Sequence, residues 1–230
     1  MLSVCTHVGG PAAAGLVRNK AASENVIMQN VIDQMPDRGR LTKQIEFIIE
    51  MDRLKHVVRQ SLVADGSRRE NTAEHSWHVA LMAMILAEHA ALKVDPLRVL
   101  KMLLIHDLVE IDAGDTFLYG TQPAARKSER EAQAADRIFS LLPPDQGAEL
   151  RALWDEFEQC KTPDGIFARS VDRLQPILLD YCTQGGCWQP NGVTGEQVRI
   201  KNSVIEQAST VLWDHVQQLI DDAVKRGYLA

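Results

Sequence analysis

From Leu41 onward, apolar side chains return every three or four positions with polar ones between them, the period of helices packed by one face. Leu41, Ile45, Ile48, Met51, Leu54, Val58 and Leu62 form one such stripe, which predicts a first helix ending at the Asp65-Gly66 turn. Asn71 followed by Glu74 has the spacing of a capping box, so a second helix should begin there and run to about Leu92. Asp95 and Pro96 supply an N-cap and a first-turn proline for a third, LRVLKMLLIHDLVEI, closed by Ala113-Gly114. Further helical stretches are predicted at about 127–141, 145–159, 163–182 and 196–226, the last broken near Ser209. No alternating, strand-like run stands out. The predicted fold class is therefore all-α, a compact helical bundle with short links.

Residues 1–40 break this pattern, being small and polar with no sustained period, and read as a flexible N-terminal extension to a domain over 41–228. Arg18 and Lys20 in an acid-poor stretch faintly echo an organellar transit peptide, but a plain flexible extension, or a wrongly chosen start codon, accounts better for the composition. The whole chain has 230 residues and is 45% hydrophobic, enough for a sizeable core. With 25 basic and 31 acidic residues it carries a net charge of −6, which speaks against unassisted binding to duplex nucleic acid. No run approaches the ~18 consecutive apolar residues of a membrane span. Four cysteines without CxxC spacing point to a reducing compartment, the cytoplasm. An apolar surplus in the C-terminal helices makes a homodimer the expected assembly.

The third helix carries the chemistry. It is apolar on nearly every side, which predicts burial, yet His106, Asp107 and Glu110 cluster toward its end. An unpaired carboxylate in such surroundings is costly, so a cation is expected beside it, either a metal ion or an Arg or Lys side chain. On a continuous helix His106 and Asp107 would stand about 100° apart and flank one ion, with Glu110 a turn further on. EHSWH, with His75 and His78, and VDRLQ, with Asp172, offer further donors. Pro176 has no N–H for the carbonyl of Asp172, so the helix is expected to loosen there and aim Asp172 at the ion. A mixed set of imidazoles and carboxylates suits Mn, Co, Fe or Mg, and the lack of thiolates argues against structural zinc. His78 and His89 read as packing residues, and Trp77, Trp154, Trp188 and Trp213 as core or interface anchors.

RLKHVVR, RRENTAEHSWHVALMAMILAEHA, LLIHDLVEIDAGD and VDRL together resemble the HD-domain metal-dependent phosphohydrolases, most of all their 5'-deoxynucleotidase branch, over about residues 44–182. The resemblance implies His75, His106, Asp107 and Asp172 as ligands of a divalent metal ion, and Glu110 as the residue that moves a proton near the attacking water. It makes Arg59 the phosphate-binding arginine and Asp115 an acid lining the nucleotide pocket. Gln60 departs from the aromatic residue that follows that arginine in the family, a position tied to the sugar. The implied activity is hydrolysis of a small phosphate ester, a nucleoside or deoxynucleoside 5'-monophosphate, to nucleoside and phosphate. Phosphodiesterase or nucleotide pyrophosphohydrolase chemistry on the same scaffold, and a regulatory module that binds a nucleotide without cleaving it, are the alternatives.

Overall fold

Arg40–Met51 forms helix α1, but the stripe that continues through Leu62 does not prolong it. The chain tightens into a 3-10 turn at Asp52–His56 and then extends as strand β1, Val58–Leu62, which pairs antiparallel with β2, Arg69–Asn71. The expectation of one helix to Leu62 is thus corrected, and so is the absence of strands. Leu54, Val58 and Leu62 keep a four-residue spacing, yet Val58 is exposed while Ser61 is buried, so the spacing beyond Leu54 records no helical face. The turn itself stands where the sequence puts it: Gly66 takes a positive φ of 71°, and its N–H donates to Val63 O at 2.8 Å. The structure, a computed structural model, describes residues 39–121 and 123–230. The expected N-terminal extension therefore lies outside the described residues, apart from its last two positions.

β2 leads directly into α2, Thr72–Leu86, through the capping box that the sequence predicts. Asn71 Oδ1 accepts from Glu74 N at 2.9 Å and Glu74 Oε2 accepts from Asn71 N at 3.1 Å. α2 ends earlier than Leu92, in a 3-10 turn at Ala87–His89. Asp95 caps α3, Pro96–Ile105, accepting from Leu97 N and Arg98 N at 3.0 and 3.3 Å. Residues 106–109 are turns, and a short helix α4, Glu110–Ala113, follows, so the predicted third helix is two pieces.

The remaining helices are α5 (Ala124–Ser140), α6 (Pro144–Gln159), α7 (Pro163–Cys182), α8 (Gly195–Lys201), α9 (Val204–Ala208) and α10 (Thr210–Lys225). The break at Ser209 is as predicted, with extended backbone and a side chain that accepts from Leu212 N. A second break, at Asn202-Ser203, has no punctuating Gly or Pro in the sequence. α7 runs on through Pro176 and lies at the centre, against α2, α3, α6, α9 and α10. Phe167, Val171, Leu174 and Ile177 of α7 are buried in the main core; truncating Phe167 to Ala would cost about 3–5 kcal/mol.

Burial of the third helix is partial. Val99, Met102, Leu103 and Ile105 enter the core, but Leu97 and Leu104 are 64% and 53% exposed. Trp77, Leu81, Met84 and Ile85 on α2 are exposed as well, so Trp77 is no core anchor, whereas Trp154 and Trp188 are buried.

Candidate metal centre and its cleft

Four segments place their side chains around one point. His75, in the first turn of the capped α2, is fully buried and reaches Gln175 Oε1 with Nδ1 at 3.1 Å and Asp172 Oδ1 with Nε2 at 3.0 Å. Gln175 Nε2 donates to Glu70 Oε1 at 2.7 Å, which turns the amide oxygen toward His75 and sets the proton on Nδ1. His106 is fixed likewise: its Nδ1 donates to Leu103 O at 2.8 Å. Its Nε2 is buried without a hydrogen-bond partner, 3.1 Å from Asp107 Oδ2 and 3.5 Å from Asp172 Oδ1. Two imidazole nitrogens and two carboxylates therefore face one another, and Arg59 donates to one of the carboxylate oxygens, Asp107 Oδ2. Such a convergence repels itself unless positive charge sits in its midst.

This donor set fits a divalent metal ion. One ligand atom from each of His75, His106 and Asp172 lies within 4.8 Å of the others. Asp107 stands beside this trio, its Oδ2 3.8 Å from His75 Nε2. Burial alone would lower the proton affinity of His106, but Asp107 and Asp172 outweigh it and lift its pKa to about 10. Against the opposing effect of burial, His106 and His75 hold Asp172 well below the usual carboxylate range.

The local backbone explains how Asp107 and Glu110 reach the cleft. In an unbroken helix the carbonyl of His106 would accept from Glu110 N. The indole of Trp154 takes that carbonyl at 3.1 Å, and Glu110 N bonds Asp107 O at 2.9 Å, a tighter i to i−3 turn. Arg59 on β1 donates from Nη1 to Asp107 Oδ2 at 2.8 Å and lies 4.0 Å from Asp115 Oδ1. Glu110 accepts from Thr72 Oγ1 at 3.0 Å; burial, then the charge of Asp107, push its carboxyl well above the ordinary range. Burial also raises Asp115, partly offset by Arg59.

Arg59, His106, Asp107, Glu110, Asp115 and Asp172 all line one cleft of about 830 Å3 counting its open mouth, within the ~300–1,000 Å3 usual for small-molecule sites. His75 does not line the cleft itself but is buried against two residues that do, Asp172 and His106.

A family model described as the HD domain matches residues 51–213, which is most of the chain. The chain belongs to the HD-domain family. Among solved structures, this HD-domain chain is 53% identical to a "Predicted metal-dependent phosphohydrolase" from Magnetospirillum magnetotacticum, with a TM-score of 0.80 over 83% of this chain and 96% of that one. A Pyrococcus horikoshii protein, 23% identical with a TM-score of 0.58 over 76% of this chain and 99% of that one, shares the fold. Among curated proteins, it is 30% identical to the human "5'-deoxynucleotidase HDDC2" over 58% of this chain and 65% of that protein, just under two-thirds of the relative's length. An Erwinia tasmaniensis "5'-deoxynucleotidase" is 29% identical over 57% of this chain and 70% of that one.

The seven residues singled out in the sequence thus converge. Glu70, Gln175 and Thr72 were not singled out and Trp154 was read only as a core or interface anchor, although Thr72 bonds Glu110, Trp154 bonds the His106 carbonyl, and Gln175, itself bonded to Glu70, holds His75. Only Gln175 left a trace, as a polar residue on the apolar face that carries Asp172. His78 packs as expected and also supports the amide of Gln175, its Nδ1 lying 3.2 Å from Gln175 Nε2. Asp172 faces the cluster as expected, and α7 continues past Pro176 to Cys182.

Proposed function

We propose that this HD-domain protein is a metal-dependent phosphohydrolase that releases phosphate from a nucleoside or deoxynucleoside 5'-monophosphate. The observation that carries the reading is the convergence of two fixed imidazole lone pairs and two carboxylates at the bottom of a cleft that also holds Arg59 and Glu110. The names of the curated relatives supply the substrate class.

His75, His106, Asp107 and Asp172 would hold the ion, and their mixed nitrogen and oxygen donors suit Mn, Co, Fe or Mg. When bound, a divalent ion there supplies Lewis acidity toward water and phosphoryl oxygens. Arg59 grips the non-bridging phosphate oxygens, since its guanidinium is buried and offers several N–H donors on one plane. Glu110 takes the proton of the attacking water, a role suited to a carboxyl whose proton affinity is raised. Asp115, facing Arg59, keeps the guanidinium turned toward the cleft and lines the nucleotide pocket.

The domain runs over 41–228 in this reading, with 1–40 as an appendage, and works in the cytoplasm. A homodimer is supported less by the C-terminal helices than by exposed Trp77, Leu81, Met84 and Ile85 on α2 with Leu97 and Leu104 on α3. Light scattering across a dilution series tests it, and a monomer at every concentration refutes it.

Incubation of the pure protein with Mn or Co and a panel of mononucleotides, cyclic nucleotides and nucleoside triphosphates tests the activity. Nucleoside plus inorganic phosphate is the expected product pair. Pyrophosphate release or opening of a cyclic ester replaces the reading with one of its alternatives, and binding without any product makes the chain a regulatory module.

A further inference from the structure

The cleft does not end at the metal cluster. Along α7 it runs from Asp172 to Asp180, about 12 Å of helix, and its far wall is built from residues that play no part in the chemistry above. Phe117, Ile177 and Trp188 make that wall apolar, and Tyr119 and Asn202 stand in it as polar groups.

Asn202 is 1% exposed, and its amide is oriented without ambiguity. Nδ2 donates to Val198 O at 2.7 Å, an atom that can only accept, and to Tyr119 Oη at 3.2 Å. Both amide hydrogens are then used, and Oδ1 is buried with no hydrogen-bond partner. Orphaned buried acceptors of this kind are rare in folded proteins and ask for a partner. Tyr119 accepts from Asn202, so its own hydrogen is left to donate. Both residues line the cleft, so a buried, unpaired acceptor on Asn202 lies beside a hydroxyl hydrogen on Tyr119.

We propose that Tyr119 and Asn202 form the subsite that reads the leaving group, taking a ligand that sets a hydrogen-bond donor next to an acceptor. This rests on the nucleotidase reading above and names what that site recognises beyond phosphate. Two parts of a nucleoside carry this chemistry: a sugar hydroxyl, which both donates and accepts, and a base edge with neighbouring N–H and carbonyl or ring nitrogen. Breaking the pairing leaves Asn202 Oδ1 buried and unsatisfied, so an ester lacking both groups gains nothing from this wall.

Tyr119→Phe tests the subsite, because it removes one oxygen and keeps the ring. With the metal-loaded enzyme, kcat/KM is compared for phenyl phosphate, a 2'-deoxynucleoside 5'-monophosphate, its 2',3'-dideoxy analogue and 2-deoxyribose 5-phosphate. Binding of the product nucleoside is measured by calorimetry. The expected result is a loss of about fivefold to tenfold for the deoxynucleotide, carried by KM, with an equal loss in nucleoside affinity and no change for phenyl phosphate. If the loss vanishes with the dideoxy analogue the sugar hydroxyl is the ligand group, and if it vanishes with deoxyribose phosphate the base edge is. A loss that persists with both, an equal loss for phenyl phosphate, or unchanged deoxynucleotide kinetics overturns the subsite while leaving the nucleotidase reading intact. A wild-type enzyme that cleaves phenyl phosphate but neither cleaves nor binds any nucleotide overturns both.

Discussion

Arg59 Nη1 donates to Asp107 Oδ2 at 2.8 Å, so the candidate phosphate clamp and a candidate metal ligand form one ion pair. The guanidinium therefore has two opposed effects, attracting the anionic substrate and repelling the cation. Arg59→Ala should raise KM for a mononucleotide by about tenfold or more, while tightening the divalent ion severalfold. Steady-state kinetics and calorimetric metal titration read the two effects separately. A variant with unchanged KM removes Arg59 from phosphate binding.

Asp107→Ala and His106→Ala should each lose bound metal and turnover together, as should the wild type on treatment with a chelator. Metal content by elemental analysis checks the first half and phosphate release the second. Full activity in a metal-depleted sample refutes the ligand assignment.

Glu110→Gln should keep its ion and lose about a hundredfold or more in kcat. The same variant bears on stability in the metal-free protein. Burial holds the Glu110 carboxyl above its unfolded value, so folding takes up a proton as pH rises past the ordinary carboxylate range. Its stabilising contribution is complete below that range and is lost as pH climbs through the raised value. Glutamine has no such dependence. The variant should therefore melt above the wild type at pH 7, with the gap closing toward pH 4; thermal scans across that interval decide it.

Asn71→Ala removes half of the capping box whose first turn carries His75. A loss of about 1 kcal/mol in unfolding free energy is expected, together with weaker metal binding, and denaturant titration beside metal titration measures both.

Gln60 lines the cleft next to Arg59, where the resemblance would put an aromatic ring. Gln60→Trp should lower kcat/KM for ribonucleotides relative to deoxyribonucleotides, because a planar wall crowds the additional hydroxyl. Equal treatment of the two sugars by both proteins would disconnect this position from sugar choice.

Much of the site was legible in the sequence because its determinants are local or chemically conspicuous. The Asn71 and Asp95 caps were set by residues within one turn, and carboxylates amid hydrophobes announced themselves at Asp107, Glu110 and Asp172. What was not legible depends on partners distant in the chain. The helix through His106 looks unbroken until Trp154, on α6, takes its carbonyl. The stripe through Leu62 looks helical until β2 pairs with it. The wall formed by Tyr119 and Asn202 joins a loop to the end of α8, and neither residue lies in a motif.

Because His75, His106 and Asp172 come from α2, the end of α3 and α7, no single helix contains the whole coordination set. An unfolded or half-assembled molecule has little to offer a divalent ion, so free-ion concentration should set the thermal midpoint, rising with each decade of excess over Kd. Metal supply thereby becomes a form of quality control, separating finished molecules from those still searching for their tertiary contacts.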